Sequence, residues 1–118
     1  MTETDIKNII EETLDIPVFL GQESIIYPAA TLEIQVITPA LFGDGKSKRR
    51  IQDVHVNIWY EEKDSRDTAQ AELMSALDQT DGITAPNVES YYDTTAKKYR
   101  SVFRFQLLPD YPNQTKGE

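Results

Sequence analysis

The chain has 118 residues, of which 20 are Asp or Glu and 12 are Lys or Arg, so its formal net charge is −8 at pH 7. This length favours a single domain, because two separate cores of about 60 residues each would be marginally stable. The acidic balance argues against nonspecific binding to nucleic acid or anionic membrane. The absence of cysteine excludes disulfides, cysteine-ligated zinc and cysteine nucleophiles.

Apolar residues at helical spacing predict a first helix over residues 4–14, with one apolar side formed by Ile6, Ile9, Ile10 and Leu14. Thr2 or Thr4 can cap its N-terminus, and Pro17 is expected to end it. Residues 17–20 are predicted to form a short strand. The start of the chain is acidic, and no apolar run approaches the roughly 20 residues of a membrane span, so synthesis in the cytosol is expected.

Alternation of apolar and polar residues predicts two strands, over residues 31–37 and 51–60. One side of the second strand carries Val54, Val56, Ile58 and Tyr60, and the other side carries Asp53, His55, Asn57 and Trp59. The connection over residues 38–50 contains one proline and two glycines. These features predict an antiparallel hairpin with a long, mobile tip.

The second half of the chain predicts another helix and two more strands. The helix spans residues 65–78, is capped by Asp64 or Ser65, and carries an apolar stripe of Ala69, Leu73, Met74, Ala76 and Leu77. The strands span residues 88–93 and 99–108 and are joined by a short turn. Residues 109–118, with two prolines and mostly polar side chains, are expected to form a flexible tail.

This element order predicts an α+β fold for residues 1–108 as one domain. It is expected to be a two-layer sandwich, in which two helices cover one face of a mainly antiparallel sheet of four to five strands. The opposite face would then carry His55, Asn57, Trp59, Arg100, Val102, Arg104 and Gln106. An exposed Trp and Val on a polar face indicate a partner surface; alternatively, the 38–50 loop shields Trp59.

No motif predicts a catalytic, metal or cofactor site. His55, the single histidine, has no Ser, second His or Cys near it in sequence and is interpreted as structural. The acids before and within the second helix complement its dipole and match no calcium loop. The stretch 43–47 ends like a phosphate-binding loop but lacks the required earlier glycine and the strand-to-helix context.

The charges alternate along the chain, because residues 1–24 and 61–81 are acidic and a basic segment, defined as Lys46, Lys48, Arg49 and Arg50, lies between them. Three interpretations of this segment are open. It is a solvated loop tip, it contacts DNA phosphates, or it docks against the acidic helices of a neighbouring copy. The third interpretation accounts for the alternation, and such a head-to-tail contact closes into a ring.

Taken together, the predicted elements resemble the tail terminator proteins, also called tail completion or head–tail joining proteins, of long-tailed bacteriophages and prophages. The resemblance rests on a short N-terminal helix, a strand pair with a long loop ending in residues 54–60, an acidic amphipathic helix over 67–77, and a final hairpin around Tyr92-Asp93 and residues 99–105. It covers most of residues 4–108 through element order, length and hydrophobic pattern.

The resemblance implies a structural protein, not an enzyme, that needs no cofactor. Such proteins form a hexameric ring, stay monomeric in some cases until a tube end is present, cap the tail tube and join it to the head. The implied partners are further copies of the chain, the tail tube protein and a head-completion or connector protein, with DNA passing only transiently through the ring. The implied locations are the host bacterial cytoplasm during assembly and the head–tail junction of the virion.

The interface residues that the resemblance suggests are region-level choices. They are the basic segment, the sheet face around Trp59, Arg100 and Arg104, and the C-terminal tail. Two alternative functions are kept. One is another head–tail connector, neck or minor tail component, and the other is a small non-viral bacterial adaptor domain. An enzyme is the least favoured class.

Overall fold

The computed structural model describes residues 2–20, 27–37 and 51–108. It contains the helices α1 (Glu3–Leu14) and α2 (Lys63–Asp78) and the strands β1 (Val18–Phe19), β2 (Ala29–Ile37), β3 (Ile51–Tyr60), β4 (Asn87–Asp93) and β5 (Lys98–Leu107). The strands form one sheet in the order β1-β2-β3-β5-β4. The predicted α+β class is therefore confirmed. The loop 38–50 and the tail 109–118 lie outside the described residues.

The sheet is mixed, because β1 runs parallel to β2 while the other three pairings are antiparallel. The predicted hairpin of β2 and β3 is confirmed, with a continuous register from Ala29↔Trp59 to Ile37↔Ile51. Ile37 and Ile51, which flank residues 38–50 in the sequence, pair with each other at one end of β3. The opposite end of β3, at Tyr60, leads into α2.

Helix α1 begins where a capping box forms. The Thr2 Oγ1 accepts a hydrogen bond from the Asp5 backbone N–H at 3.2 Å, and the Asp5 carboxylate accepts one from the Thr2 N–H at 2.8 Å. The helix ends at Leu14 because Asp15 adopts a left-handed conformation, with φ 55°, and its N–H donates to the Glu11 carbonyl. The end is thus set by Asp15, two residues before the expected Pro17.

Helix α2 begins at Lys63, two residues earlier than predicted. Its N-cap is Glu62, whose side chain makes no capping hydrogen bond, so the predicted caps Asp64 and Ser65 are wrong and both lie within the first turn. An ion pair between Lys63 and Asp67, 3.0 Å long and four residues apart, stabilises this earlier start. Neither helix of the described part is long and apolar enough to cross a membrane.

One hydrophobic core holds the fold together. Both helices and one face of the sheet contribute to it, and its buried residues include Ile6, Ile10, Ala30, Leu32, Val54, Val56, Ile58, Ala69, Leu73, Leu77, Phe103, Phe105 and Leu107. The strand register places Leu32, Val56 and Phe103 side by side, so this face is continuous across three strands. The apolar stripes predicted for α1 and β3 are confirmed as residues of the core or packed against it, and the stripe predicted for α2 is confirmed except for Ala76.

Candidate interaction surfaces

The face of the sheet away from the helices, called the outer face below, carries the polar residues expected there. The register pairs Trp59 with Arg100 and His55 with Arg104 across β3 and β5. The same face continues onto β4, where Arg100 pairs with Tyr91. Sequence alternation therefore placed these side chains on the correct face.

Trp59 is not the exposed residue that the alternation suggested. Its side chain is 8% exposed, and its indole Nε1 donates a hydrogen bond to the Asp93 Oδ2 at 3.1 Å. The Arg100 guanidinium lies 5.0 Å from the centre of the indole ring. The Tyr27 ring packs against the indole in a T-shaped arrangement, with 6.0 Å between the two ring centres. Val102, also expected to be exposed, is 5% exposed. The prediction that a Trp and a Val are exposed on this face is therefore wrong. Whether the 38–50 loop adds cover lies outside the described residues.

Arg100 is the centre of the polar cluster that covers Trp59. Its Nε and Nη2 donate to the Asn57 Oδ1 at 3.0 and 2.7 Å, and its Nη1 lies 3.2 Å from the Asp93 Oδ2. The guanidinium lies between two aromatic rings, 5.0 Å from Trp59 and 5.4 Å from Tyr91. Its charge is thus used inside the chain, so Arg100 supports this surface more than it offers a contact to a partner.

Asp93 connects this cluster to the turn between β4 and β5. Its Oδ1 accepts hydrogen bonds from the backbone N–H groups of Thr95 and Ala96, each at 3.0 Å. The hydrogen bond from Ala96 is the largest influence and lowers the pKa of Asp93 below its ordinary value, with Trp59 and Arg100 adding to it and partial burial opposing it. The carboxylate therefore stabilises the folded chain in its ionised form.

An Asp93→Asn variant is expected to lose stability in a pH-dependent way. Since the folded-state pKa lies below the unfolded value of about 3.9, the contribution is fully present above that value and is lost as pH falls through the folded pKa. Urea unfolding should give a much lower free energy of unfolding for the variant than for the wild type at pH 7. This difference should be smaller at pH 3. The control Glu89→Gln alters an exposed ion pair. An equal difference at both pH values for Asp93→Asn would contradict this assignment.

Arg104 remains at the surface. Its Nη1 forms an ion pair with the Glu89 Oε1 at 2.9 Å, and its side chain is 49% exposed. It lines a cleft of about 240 Å³ on the outer face, together with Asp53, His55, Thr84, Ala85, Asn87, Phe105 and Gln106. Of the three outer-face residues chosen as interface candidates, Arg104 is the one whose position leaves it accessible.

The outer edge of the sheet is a surface that sequence alternation did not identify. Strand β4 pairs with β5 on one side only, and five of its seven residues are exposed. Tyr91 and Tyr92 point to opposite faces and are 43% and 47% exposed. The strand contains no proline and no lysine, two residues that natural proteins often use to block an edge, and its charged side chains are those of Glu89 and Asp93. Within the described part of the chain, this edge is therefore open to pairing with another chain.

Two buried polar residues, Arg66 and Ser101, were also missed. Arg66 is 4% exposed, and its Nη1 donates to the carbonyls of Arg100 at 2.9 Å and Tyr91 at 3.4 Å. Gln70 accepts hydrogen bonds from the hydroxyls of Ser90 and Ser101, which ties α2 to β4 and β5. Ser101 lies between core residues in an otherwise apolar alternation, and this interruption was the one sequence signal for a buried polar contact.

The surface charges are segregated. Helix α1 carries four acids and one base, and α2 carries four acids and two bases, one of which is the buried Arg66. The basic segment belongs to the connection between β2 and β3, outside the described residues, so its placement as an interface is not tested. Within the described ranges, no group of three or more His, Asp or Glu residues is arranged to hold a metal ion.

These features define the class of molecule: an α+β domain with an acidic helical side, a polar outer face and an open sheet edge. No protein-family model and no curated protein sequence matches the chain.

Proposed function

We propose that this chain is a ring-forming structural protein of phage or prophage assembly, namely a tail terminator that caps the tail tube and joins the tail to the head. The observation that carries the proposal is the separation of charge between the acidic helices and the basic segment. Opposite charges on distinct surfaces of one chain favour a head-to-tail contact, which closes into a ring when the rotation between copies permits.

The geometry of the chain adds a reason why this contact joins different copies. Arg50 directly precedes Ile51 at one end of β3, whereas the acidic start of α2 follows Tyr60 at the other end. The ten-residue strand separates these ends by about 30 Å. A basic segment at one end and an acidic helix start at the other suit a series of subunits, each contacting the next.

The remaining parts of the proposal come from the resemblance. The ring has six subunits, meets the tail tube protein on one side and the head-completion protein on the other, and lets DNA pass through its lumen. Assembly takes place in the host bacterial cytoplasm, and the finished ring lies at the head–tail junction. The outer face around Arg104 and the open edge of β4 are the further surfaces available for these contacts.

The head-to-tail contact is tested by reversing the basic segment. The triple variant Lys48→Glu, Arg49→Glu and Arg50→Glu should weaken self-association about tenfold or more, because it replaces attraction by repulsion. Sedimentation velocity at low and high salt measures the change, and salt should weaken the wild-type contact. The double variant Lys97→Glu and Lys98→Glu, which reverses two bases in the turn between β4 and β5 and at the start of β5, serves as the control. Equal sedimentation of both variants and the wild type would refute the contact.

The terminator role is tested in particles assembled without this protein. Electron microscopy should show overlong tails beside unattached heads, because nothing halts tube growth or supplies the docking surface. Normal joined virions would overturn the proposal.

One observation favours a second candidate function, a small adaptor that binds an extended peptide. The open β4 edge, with a tyrosine exposed on each face, is suited to adding a strand from a partner. Gene neighbourhood separates the two candidates. A gene located between head genes and tail-tube genes supports the terminator, whereas a location away from virion genes supports the adaptor.

A further inference from the structure

A pocket lies on the helical side of the molecule, beside the end of β3. It has a volume of about 410 Å³ and is lined by Leu14, Tyr60, Asp64, Ser65, Thr68, Ala69 and Glu72. We call it the helix pocket. Leu14 and Ala69 form an apolar wall of this pocket, and Tyr60 contributes an aromatic ring. Asp64 and Glu72 contribute two carboxylates. Its lining contains no lysine or arginine.

No base of the described residues pairs with the two carboxylates of the helix pocket. Within the described residues, neither Asp64 nor Glu72 forms an ion pair, whereas other acids do, as in the pairs Glu11–Lys7, Asp67–Lys63, Glu89–Arg104 and Asp93–Arg100. Asp64 lies in the first turn of α2 and complements the positive end of that helix. Glu72, two turns further along, has no such role, so its charge is available to a ligand.

Tyr60 shows that the charge of Glu72 reaches into the pocket. Burial, followed by the nearby Glu72 carboxylate, raises the pKa of Tyr60 to about 12. The phenol therefore stays neutral at physiological pH and presents its ring without adding charge. Burial of the ring and the neighbouring carboxylate together describe a site with an aromatic wall and negative potential.

The end of α1 adds to this negative potential. Leu14 is the last residue of α1, and the last turn of the helix contains no basic residue. The carbonyl end of a helix carries a partial negative charge, which favours a cation nearby. The pocket thus combines an apolar wall for an aliphatic chain with negative groups for a cationic head, which is how lysine and arginine side chains bind.

We propose that the helix pocket binds a lysine or arginine side chain from the basic segment of a second copy of this chain. The inference rests on the proposed ring for the identity of the partner and names the surface on which the ring contact forms. Charge complementarity selects this occupant, because four of the chain's 12 bases lie within residues 46–50.

The segment adjoins the end of β3 that lies far from Tyr60 and the pocket of its own chain. Ile51 and Tyr60 are at opposite ends of β3, about 30 Å apart. Even Lys46, five residues before Ile51, extends at most about 18 Å from it when the chain is fully extended. This separation favours a contact between copies, a heterologous contact that repeats from each subunit to the next.

A peptide tests the pocket directly. A fluorescent synthetic peptide of residues 44–52 is titrated into the full-length protein, and its binding is followed by fluorescence anisotropy. The variants Glu72→Gln and Asp64→Asn should each weaken binding about tenfold, because each removes one charge that attracts the basic head. Glu12→Gln and Asp78→Asn remove charges from the same two helices outside the pocket lining and should leave binding unchanged. Equal weakening by all four variants would overturn the pocket assignment.

A charge swap extends the test to the whole chain. The protein with reversed charges at Lys48, Arg49 and Arg50 is mixed with a variant carrying Glu72→Lys and Asp64→Lys. Each variant alone should sediment as a smaller species than the wild type, and the mixture should recover a larger species, because both contacts in an alternating assembly again join opposite charges. A mixture that stays as small as its components would refute the pairing of this pocket with this segment.

The outcomes separate this inference from the ring itself. Self-association that depends on the basic segment, but not on Glu72 or Asp64, would leave the ring standing and refute the pocket. Peptide binding that depends on Glu72 and Asp64, in a protein that shows no self-association and is dispensable for tail assembly, would support the pocket as a basic side-chain site and refute the ring.

Discussion

Replacing Arg66 by alanine should lower the free energy of unfolding by about 3 kcal/mol, as expected for a buried charged hydrogen-bond donor. Arg66 is 4% exposed, and its Nη1 is shared by the carbonyls of Arg100 and Tyr91 on two neighbouring strands. Its Nε donates to the Asp67 carboxylate at 2.8 Å. Alanine would leave both carbonyls without this donor and would open space beside Tyr99, whose ring lies 5.9 Å from the guanidinium.

Urea unfolding followed by circular dichroism measures this loss. Arg66→Lys keeps the charge but not the planar guanidinium. Its free energy of unfolding should therefore lie between those of Arg66→Ala and the wild type. Lys63→Ala removes an exposed ion pair on the same helix and should change the unfolding free energy by about 0.5 kcal/mol or less. If the free energy of unfolding of Arg66→Ala differs from that of the wild type by no more than this small amount, α2 is held on the sheet by its apolar stripe and the Gln70 hydrogen bonds, without Arg66.

Arg100→Ala should lower the free energy of unfolding by about 2 kcal/mol and should expose the indole of Trp59 to water. The variant loses both hydrogen bonds to the Asn57 Oδ1, the ion pair with Asp93, and the cover over the Trp59 ring. Because the chain has one tryptophan, its fluorescence reports on this cluster alone. A red shift of the emission together with earlier unfolding in urea is the expected result.

Arg104→Ala is the matched control for Arg100→Ala. Arg104 lies on the same strand and the same face but forms one exposed ion pair, so its loss should cost less than about 1 kcal/mol and leave the emission of Trp59 unchanged. An Arg100→Ala protein with wild-type stability and emission, but with weaker assembly, would show that Arg100 is a contact residue and not a support of the outer face.

Sequence alternation was sufficient to predict the core and the contents of both sheet faces. Val56 and Phe105 alternate with polar neighbours, and the pleat of a strand converts that alternation directly into two faces. Helix α1 followed equally from local signals, since its cap and its apolar spacing lie within a few residues of each other. These predictions succeeded because the causes are local.

The missed features depend on pairs of residues far apart in the chain. The cover over Trp59 comes from Arg100, and Arg66 finds its acceptors on β4 and β5. No periodicity contains that information, because it depends on the order of strands in the sheet. The same order places β4 at the edge and β1 parallel to β2, neither of which the pattern of residues 88–93 or 17–20 could predict.

The opposite placement of charge along β3 is the feature on which the proposed function depends most. The basic segment adjoins one end of the strand, and the helix pocket with Glu72 adjoins the other. In the proposed ring, each charged surface would face a neighbouring copy. Its function as a tail terminator would then follow from repetition of one contact around a ring.

Tail length in assembled particles tests this claim most directly. The wild-type gene is replaced by one encoding Lys48→Glu, Arg49→Glu and Arg50→Glu, and tail lengths are measured by electron microscopy. We predict a broad distribution of overlong tails and unattached heads, as in particles that lack the protein, although circular dichroism of the purified variant shows a folded chain. Joined virions with tails of wild-type length would contradict the proposed ring contact.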